Sequence, residues 1–134
     1  MKAIRIGIPL LIAFAVLAHG AVEPWSETIL EVGAGLLLVI WAVESAIRGE
    51  IKLRSNALLL PLGGLVALSL AQWGIGLTVY AYSTQLETLG LIAALILLFL
   101  AIQAFRTPGE WLRFVWFLLG LAFAVSLFGI VQYF

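Results

Sequence analysis

The sequence predicts an all-α protein, a polytopic integral membrane helical bundle of about five transmembrane helices with a cytoplasmic N-terminus and a periplasmic C-terminus. Three observations predict this fold class: the composition, five apolar runs, and basic residues confined to one set of connections. Of the 134 residues, 64% are hydrophobic and 10% are charged, whereas soluble domains are about half apolar and a quarter charged. A soluble fold of this size could not bury so much apolar surface, so lipid is the expected surrounding.

The same composition excludes several classes of function. The formal net charge is zero, so no basic field attracts nucleic acid, which is not expected as a partner. The chain contains no cysteine, which excludes disulfides, iron–sulfur clusters, thiolate metal sites and cysteine nucleophiles. The functions that remain are those carried by apolar helices and a few polar side chains.

Each apolar run is close to the length that a helix needs to cross about 30 Å of hydrocarbon. Leucine, alanine and glycine dominate the runs without a period of two, which favours helices over barrel strands. The connections are short and none resembles a soluble domain, so residues 1–134 are predicted to form a single transmembrane domain. The predicted spans cover about residues 6–22, 28–47, 57–77, 85–105 and 111–133.

The first run resembles a signal sequence. Lys2 and Arg5 precede a short apolar core, and Ala18-His19-Gly20 is similar to a signal-peptidase site. We interpret the run as a signal anchor and first span, and we expect Pro9 to kink it or to end its first turn.

The basic residues predict the orientation. Every lysine and arginine lies before the first run, between the second and third, or around the fourth-to-fifth connection, whereas 23–27 and 78–84 carry none. The basic side is cytoplasmic by the positive-inside rule, so we expect a multi-pass protein of the bacterial inner (cytoplasmic) membrane. The residues concerned are Lys2, Arg5, Arg48, Lys52, Arg54, Arg106 and Arg113.

Short motifs predict where helices begin. Thr107-Pro108-Gly109-Glu110 is typical of a capping box with proline at the first helical position. Thr84-Gln85-Leu86-Glu87 is a second predicted capping box, opening the fourth span. Pro24 and Pro61 suit the first turns of the second and third helices.

Small residues at helical spacing predict close helix packing. In lipid, such residues let two backbones approach each other, although glycine and alanine are also simply common in membrane helices. Isolated amides are expected to hydrogen-bond across helix interfaces. The predicted packing residues are Gly63, Ala67 and Ala71 on the third helix and Gly120 and Ala124 on the fifth, and the amides are Gln72, Gln103 and Gln132.

Acidic residues are the main polar candidates within the runs. Glu23, Glu27 and Glu31 stand four residues apart, and carboxylates near a helix N-terminus are favourable capping groups. The functional alternative is a carboxylate patch for a cation, a proton or a polar substrate. Glu31 suits that role best because it lies about one turn inside the boundary. Glu44 is a second candidate intramembrane group, and its spacing to Arg48 predicts an i,i+4 ion pair.

His19 is the single histidine and the one conventional general base. It is a candidate axial ligand for haem iron or chlorophyll magnesium, and the alternative is an interfacial residue bonded to water or a neighbour. One histidine without cysteine or aspartate partners does not form a zinc site. No catalytic residue and no metal site are predicted. No cofactor is predicted either, with lipid or pigment between the helices left open.

The stretch "HGAVEPWS" and the following "EVGAGLLLVIWAVESAIRGEIKLRSNALLLPLGGLVALSLAQ" resemble the N-terminal third of bacterial O-antigen ligase and O-antigen polymerase-like membrane proteins. The closing "FGIVQYF" is similar to the fifth-span pattern of that group, and the most specific piece is Gly20–Ser26. The resemblance implies a glycan transferase fold that moves polysaccharide from a polyprenyl-diphosphate carrier. The family's catalytic residues lie beyond the fifth span, so the resemblance carries none of them onto this chain.

Three alternative functions are therefore considered for this chain. The first is a membrane module of an O-antigen ligase-like protein, non-catalytic as it stands. It would be either the front part of a longer enzyme or a short relative that has kept this module and lost the chemistry. The second is a small accessory subunit of a larger respiratory or photosynthetic membrane complex, with other membrane subunits and lipids as partners. The third is a small transporter or channel component, for which Glu31 and Glu44 are the motivation. These two residues stand at opposite ends of one helix, about 20 Å apart at 1.5 Å per residue.

Overall fold

A computed structural model describes residues 2–18, 23–49 and 53–133. Within these ranges the chain forms five α-helices and no strand, which confirms the all-α prediction. The helices are α1 (Lys2–Leu17), α2 (Pro24–Arg48), α3 (Leu59–Ile75), α4 (Ala81–Ala104) and α5 (Pro108–Tyr133).

Three of the described helices are long and apolar enough to cross a membrane. They are the whole of α2 and of α4, with 25 and 24 residues, and the 24 residues Pro108–Val131 of α5. The other two are shorter, with 16 residues in α1 and 17 in α3. At 1.5 Å per residue these two helices extend about 24–26 Å, less than the ~30 Å hydrocarbon core. The predicted first span continues to residue 22, and residues 19–22 lie outside the described part.

The helices alternate in direction along the chain, as the contacts within the bundle show. Helix α3 is antiparallel to α4, α2 is parallel to α4, and α5 is parallel to α1. A Cβ added at Gly7 of α1 would lie 2.5 Å from Leu37 Cδ2 of α2, and one at Gly33 of α2 would lie 2.5 Å from Leu11 Cδ2 of α1. Because the earlier α1 residue meets the later α2 residue, the two helices are antiparallel. Each leucine lies over a glycine of the partner helix, so the two backbones pack closely.

Helix α4 forms the centre of the bundle and packs against α1, α2 and α3. Helix α1 also packs against α2 and α5. Since α3 contacts only α4 and α5 contacts only α1, these two helices lie at the two edges of the described bundle. The buried core lies where α1, α2 and α4 meet and continues to the residue that follows α4. Its members are Ile4, Ile8, Leu37, Leu100, Ala101, Ala104 and Phe105.

Local sequence explains most helix ends. Pro24 occupies the start of α2, as predicted, because proline needs no N–H partner in the first turn. Pro61 lies in the first turn of α3, and α1 continues on both sides of Pro9. Gly49 ends α2 with φ 66° and Gly76 ends α3 with φ 73°, a left-handed conformation that is least costly for glycine.

One predicted capping box forms and the other does not. The Glu110 N–H donates to Thr107 Oγ1 at 3.4 Å, and Glu110 Oε2 accepts from the Thr107 N–H at 3.2 Å. The predicted box at Thr84–Glu87 is wrong, because α4 already begins at Ala81. Inside that first turn the Thr84 hydroxyl donates to the Tyr80 carbonyl at 3.1 Å instead.

Candidate functional site: a polar junction at the basic end of the bundle

The amide of Gln103 fastens a non-helical segment to the end of α4. Its side chain is fully buried. Its Nε2 donates to the Arg54 carbonyl at 2.8 Å, and its Oε1 accepts from the Arg54 N–H at 3.1 Å. Both polar atoms of a buried amide are thus satisfied by one backbone residue, which holds the non-helical segment 53–56 in place.

Arg5 joins the beginning of α1 to the turn between α4 and α5. Its Nε donates to the Ala104 carbonyl at 3.1 Å, and its Nη1 lies 2.5 Å from Glu110 Oε1. The second oxygen of Glu110 accepts from the backbone N–H groups of Arg106 at 2.8 Å and of Thr107 at 3.2 Å. One carboxylate therefore caps α5 and binds α1 at the same time.

Aromatic rings fill the apolar side of the same turn. Phe105 is buried, and its ring stacks on Phe114 with a centroid separation of 4.7 Å. Trp111 approaches both rings, at 5.5 Å from Phe105 and 6.1 Å from Phe114. Aromatic pairs at these separations stabilise a fold beyond the effect of burying their surface. The turn between α4 and α5 is therefore held by ring packing as well as by hydrogen bonds.

We call this set of residues the basic-end junction. It joins the N-terminus of α1, the segment 53–56, the C-terminus of α4 and the N-terminus of α5. Most of its hydrogen bonds end on backbone carbonyls and amides, so its chemistry is the fixing of helix ends. Its polar members are Arg5, Arg54, Gln103, Arg106 and Glu110.

Most of the contacts in this junction were not predicted from the sequence. Gln103 was expected to bond across a helix interface, but its partner is the non-helical Arg54 backbone. Gln72 is exposed, and the side chain of Gln132 lies outside the described part. The signal that could have led to the junction was the single amide in the otherwise apolar end of the fourth run, since a buried amide needs a partner.

Glu31 lies on α2 and is half-buried. Its Oε1 is buried and has no hydrogen-bond partner among the described residues. Glu27, one turn earlier, also turns towards α4, and its Oε1 lies 3.6 Å from the position that a Cβ on Gly90 would take. The two carboxylates therefore share one face of α2, as the spacing predicts, and the missing side chain of Gly90 leaves room for Glu27.

The predicted i,i+4 ion pair at the other end of α2 is present. Glu44 Oε2 lies 3.6 Å from an Arg48 guanidinium nitrogen. The Arg48 side chain is largely exposed, and exposed pairs of this kind contribute only about 0–1 kcal/mol to stability. Glu31 and Glu44 remain at opposite ends of the helix.

The predicted small-residue stripes lie mostly on the outside of the described bundle. Ala67 and Ala71 of α3 and Gly120 and Ala124 of α5 are exposed, and Gly63 is half-buried. Helix α3 meets α4 through another face, where Val66 is buried and the hydroxyls of Ser69 and Thr88 lie 2.5 Å apart. Since Thr88 donates to the Thr84 carbonyl, Ser69 is the donor in that pair.

The motif that carries the resemblance is only partly described. His19, the candidate axial ligand, and residues 20–22 lie outside the described residues. Ser26 is fully buried, and its hydroxyl donates to the Glu23 carbonyl at 2.8 Å. The Trp25 ring meets Phe14 of α1 edge to face at 6.0 Å, and its indole N–H donates to Glu23. These contacts are those of a helix start packed on its neighbour.

No protein-family model, curated protein or solved structure matches this chain. Within the described ranges, no group of three or more histidine, cysteine, aspartate or glutamate side chains could hold a metal ion.

Proposed function

We propose that the chain is a five-pass membrane module that works by packing its edge helices against other membrane helices. The observation that carries the proposal is the position of the unused small-residue stripes. Gly120 and Ala124 are exposed on one edge helix, where Ala124 also borders a cavity against α1. Ala67 and Ala71 are exposed on the other edge helix. Small residues at this spacing favour close helix contacts in lipid.

The exposure of α5 supports the same proposal. No residue in the apolar window of α5 is buried within the described bundle, although this helix is long enough to span a membrane. Exposed apolar side chains on this helix include Trp116, Phe123 and Phe128. A helix that is apolar all round and has one neighbour is suited to lipid and to further helices.

The proposed threading places the amino terminus and the basic-end junction in the cytoplasm and Phe134 in the periplasm of the bacterial inner membrane. The alternating helix directions support five crossings. The short helices α1 and α3 would cross with the help of flanking residues or local thinning of the bilayer. The positive-inside rule assigns the end that carries Arg5, Arg54, Arg106 and Arg113 to the cytoplasm.

Two partners are proposed for the exposed edges. One is the C-terminal remainder of an O-antigen ligase-like glycan transferase, supported by the resemblance at Gly20–Ser26. The other is a larger subunit of a respiratory or photosynthetic complex, with lipid or pigment between the helices. Sequencing the coding frame beyond the Phe134 codon decides between them, because a stop codon there removes the first.

A substitution on the α5 stripe tests the packing proposal. Gly120→Leu places a bulky side chain on the stripe, whereas Ala122→Leu places a leucine at another exposed position on the same helix. Purification in mild detergent followed by native gel electrophoresis compares both variants with the unmodified chain. We expect a complex larger than the monomer that is lost with Gly120→Leu and retained with Ala122→Leu. A chain that migrates alone, or two variants that behave alike, would contradict the proposal.

A further inference from the structure

The α1–α5 seam contains two cavities in line along its length. The first, of about 280 Å³, lies beside the basic-end junction and is lined by Arg5, Pro9, Arg113 and the rings that follow on α5. The second, of about 360 Å³, lies farther along and is lined by apolar residues, among them Val16 and Phe128. The seam is therefore polar and cationic at one end and apolar at the other.

The charge at the polar end is net positive. Glu110 is already paired with Arg5, and these two charges offset each other. Arg113 makes no hydrogen bond or ion pair with any described residue, and it is an exposed residue that lines the same cavity. Guanidinium groups bind phosphate oxygens well because their N–H donors match the geometry of the oxygens.

The dimensions fit one leaflet of a bilayer. Arg113 and Val125 stand 12 positions apart on α5, a rise of about 18 Å. Half of the hydrocarbon core is about 15 Å thick. A phosphate at Arg113 would therefore place an acyl chain along the seam and into the apolar cavity.

We propose that the α1–α5 seam binds a negatively charged glycerophospholipid. Arg113, with Arg5 behind it, takes the phosphate, and the cavity near Phe128 takes an acyl chain. The positive charge at one end of the seam complements the lipid phosphate, and the apolar lining at the other end suits the acyl chain. The proposal rests on the part of the proposed function that places these helices in a bilayer, but it does not depend on a protein partner at the edges.

Native mass spectrometry of the purified full chain tests the headgroup end. The chain is released from detergent micelles into which phosphatidylglycerol or phosphatidylcholine has been titrated. We expect phosphatidylglycerol to bind more tightly, and Arg113→Gln to weaken it about fivefold, the effect of one arginine near anionic lipid. Arg48→Gln is the matched control, since it removes the same charge from an exposed position on α2 outside the seam. Equal loss with both variants would indicate diffuse surface attraction and would overturn the site.

Gly129→Phe tests the acyl end, because no described atom lies within 4 Å of a Cβ added there and Gly129 lines the apolar cavity. We expect it to weaken phosphatidylglycerol while circular dichroism shows unchanged helix content. Unchanged binding would overturn the acyl assignment. Displacement of the lipid by inorganic phosphate would identify a simple phosphate site, and tighter binding of a polyprenyl phosphate would identify a different lipid; either overturns the proposal. Loss of the protein complex with Gly120→Leu, at a residue that lines neither cavity, while lipid binding persists would separate the two proposals.

Discussion

Single polar side chains hold together segments of this bundle that are far apart in sequence. Glu110 uses one oxygen to cap its own helix and the other to bind Arg5. Gln103 uses both ends of its amide on the backbone of Arg54. Such bonds matter most at a membrane boundary, where helix ends leave backbone groups that need partners.

Replacing Glu110 is expected to destabilise the bundle in proportion to the contacts removed. Glu110→Ala removes the cap and the ion pair, whereas Glu110→Gln keeps an oxygen that can cap. The thermal unfolding temperature in detergent, followed by tryptophan fluorescence, should fall most for the alanine variant and less for the glutamine variant. Glu87→Ala, at an exposed glutamate in α4, serves as control and should leave it unchanged. Equal unfolding temperatures for all three variants would show that the Glu110 contacts add nothing to stability.

Replacing Gln103 is expected to release the segment 53–56. Gln103→Leu removes two hydrogen bonds to Arg54, each contributing about 1 kcal/mol, so local opening should rise about tenfold or more. The rate of trypsin cleavage after Arg54 in detergent measures that opening. Gln72→Leu removes an exposed amide and should leave the rate unchanged. A rate that stays constant with Gln103→Leu would show that the amide does not hold the segment.

At the scale of elements, the helices themselves could be predicted and their contacts could not. Five apolar runs were enough to locate five helices, since helical hydrogen bonds are local and long apolar runs have few other conformations in lipid. The Thr107–Glu110 box was also local and formed as predicted. The Thr84 box failed because no helix breaker separates Ala81 from Thr84, so the helix starts one turn earlier.

The pairing of faces depends on the register between distant helices, which local sequence does not contain. The glycines that allow close approach are Gly7 and Gly33, each beneath a leucine of the partner helix. The stripes singled out from sequence, such as Gly120 with Ala124, lie outside instead. Arg54 and Gln103 are likewise 49 residues apart, so no spacing rule connects them.

Leucine substitutions at the two glycines of α2 should have different effects on stability, because only one of the glycines lies in the α1–α2 contact. Gly33→Leu forces atoms against Leu11, and overpacking costs about 1–3 kcal/mol. Gly35→Leu adds the same side chain where no described atom lies within 4 Å of the new Cβ. The thermal unfolding temperature should therefore fall for Gly33→Leu and not for Gly35→Leu. Adding Leu11→Ala to Gly33→Leu should restore part of the lost unfolding temperature. Equal effects at positions 33 and 35 would contradict the close contact.

On the scale of the whole molecule, the bundle has a basic end and two open edges. Contacts of Arg5, Arg54 and Arg106 gather separate segments at one end, and α3 and α5 leave apolar faces uncovered at the sides. The proposed lipid seam and the proposed packing edges both depend on which end faces the cytoplasm. Both proposals therefore require the chain to cross the bilayer as proposed.

Labelling of single cysteines tests the threading most directly, because the chain contains no cysteine of its own. Ser55→Cys, in the exposed segment at the basic end, and Ser83→Cys, exposed in the first turn of α4, are treated with a membrane-impermeant maleimide on intact spheroplasts. The proposed threading predicts that Ser83→Cys reacts on intact spheroplasts and Ser55→Cys only after lysis. Reaction of both on intact cells, or the reverse order, would contradict it.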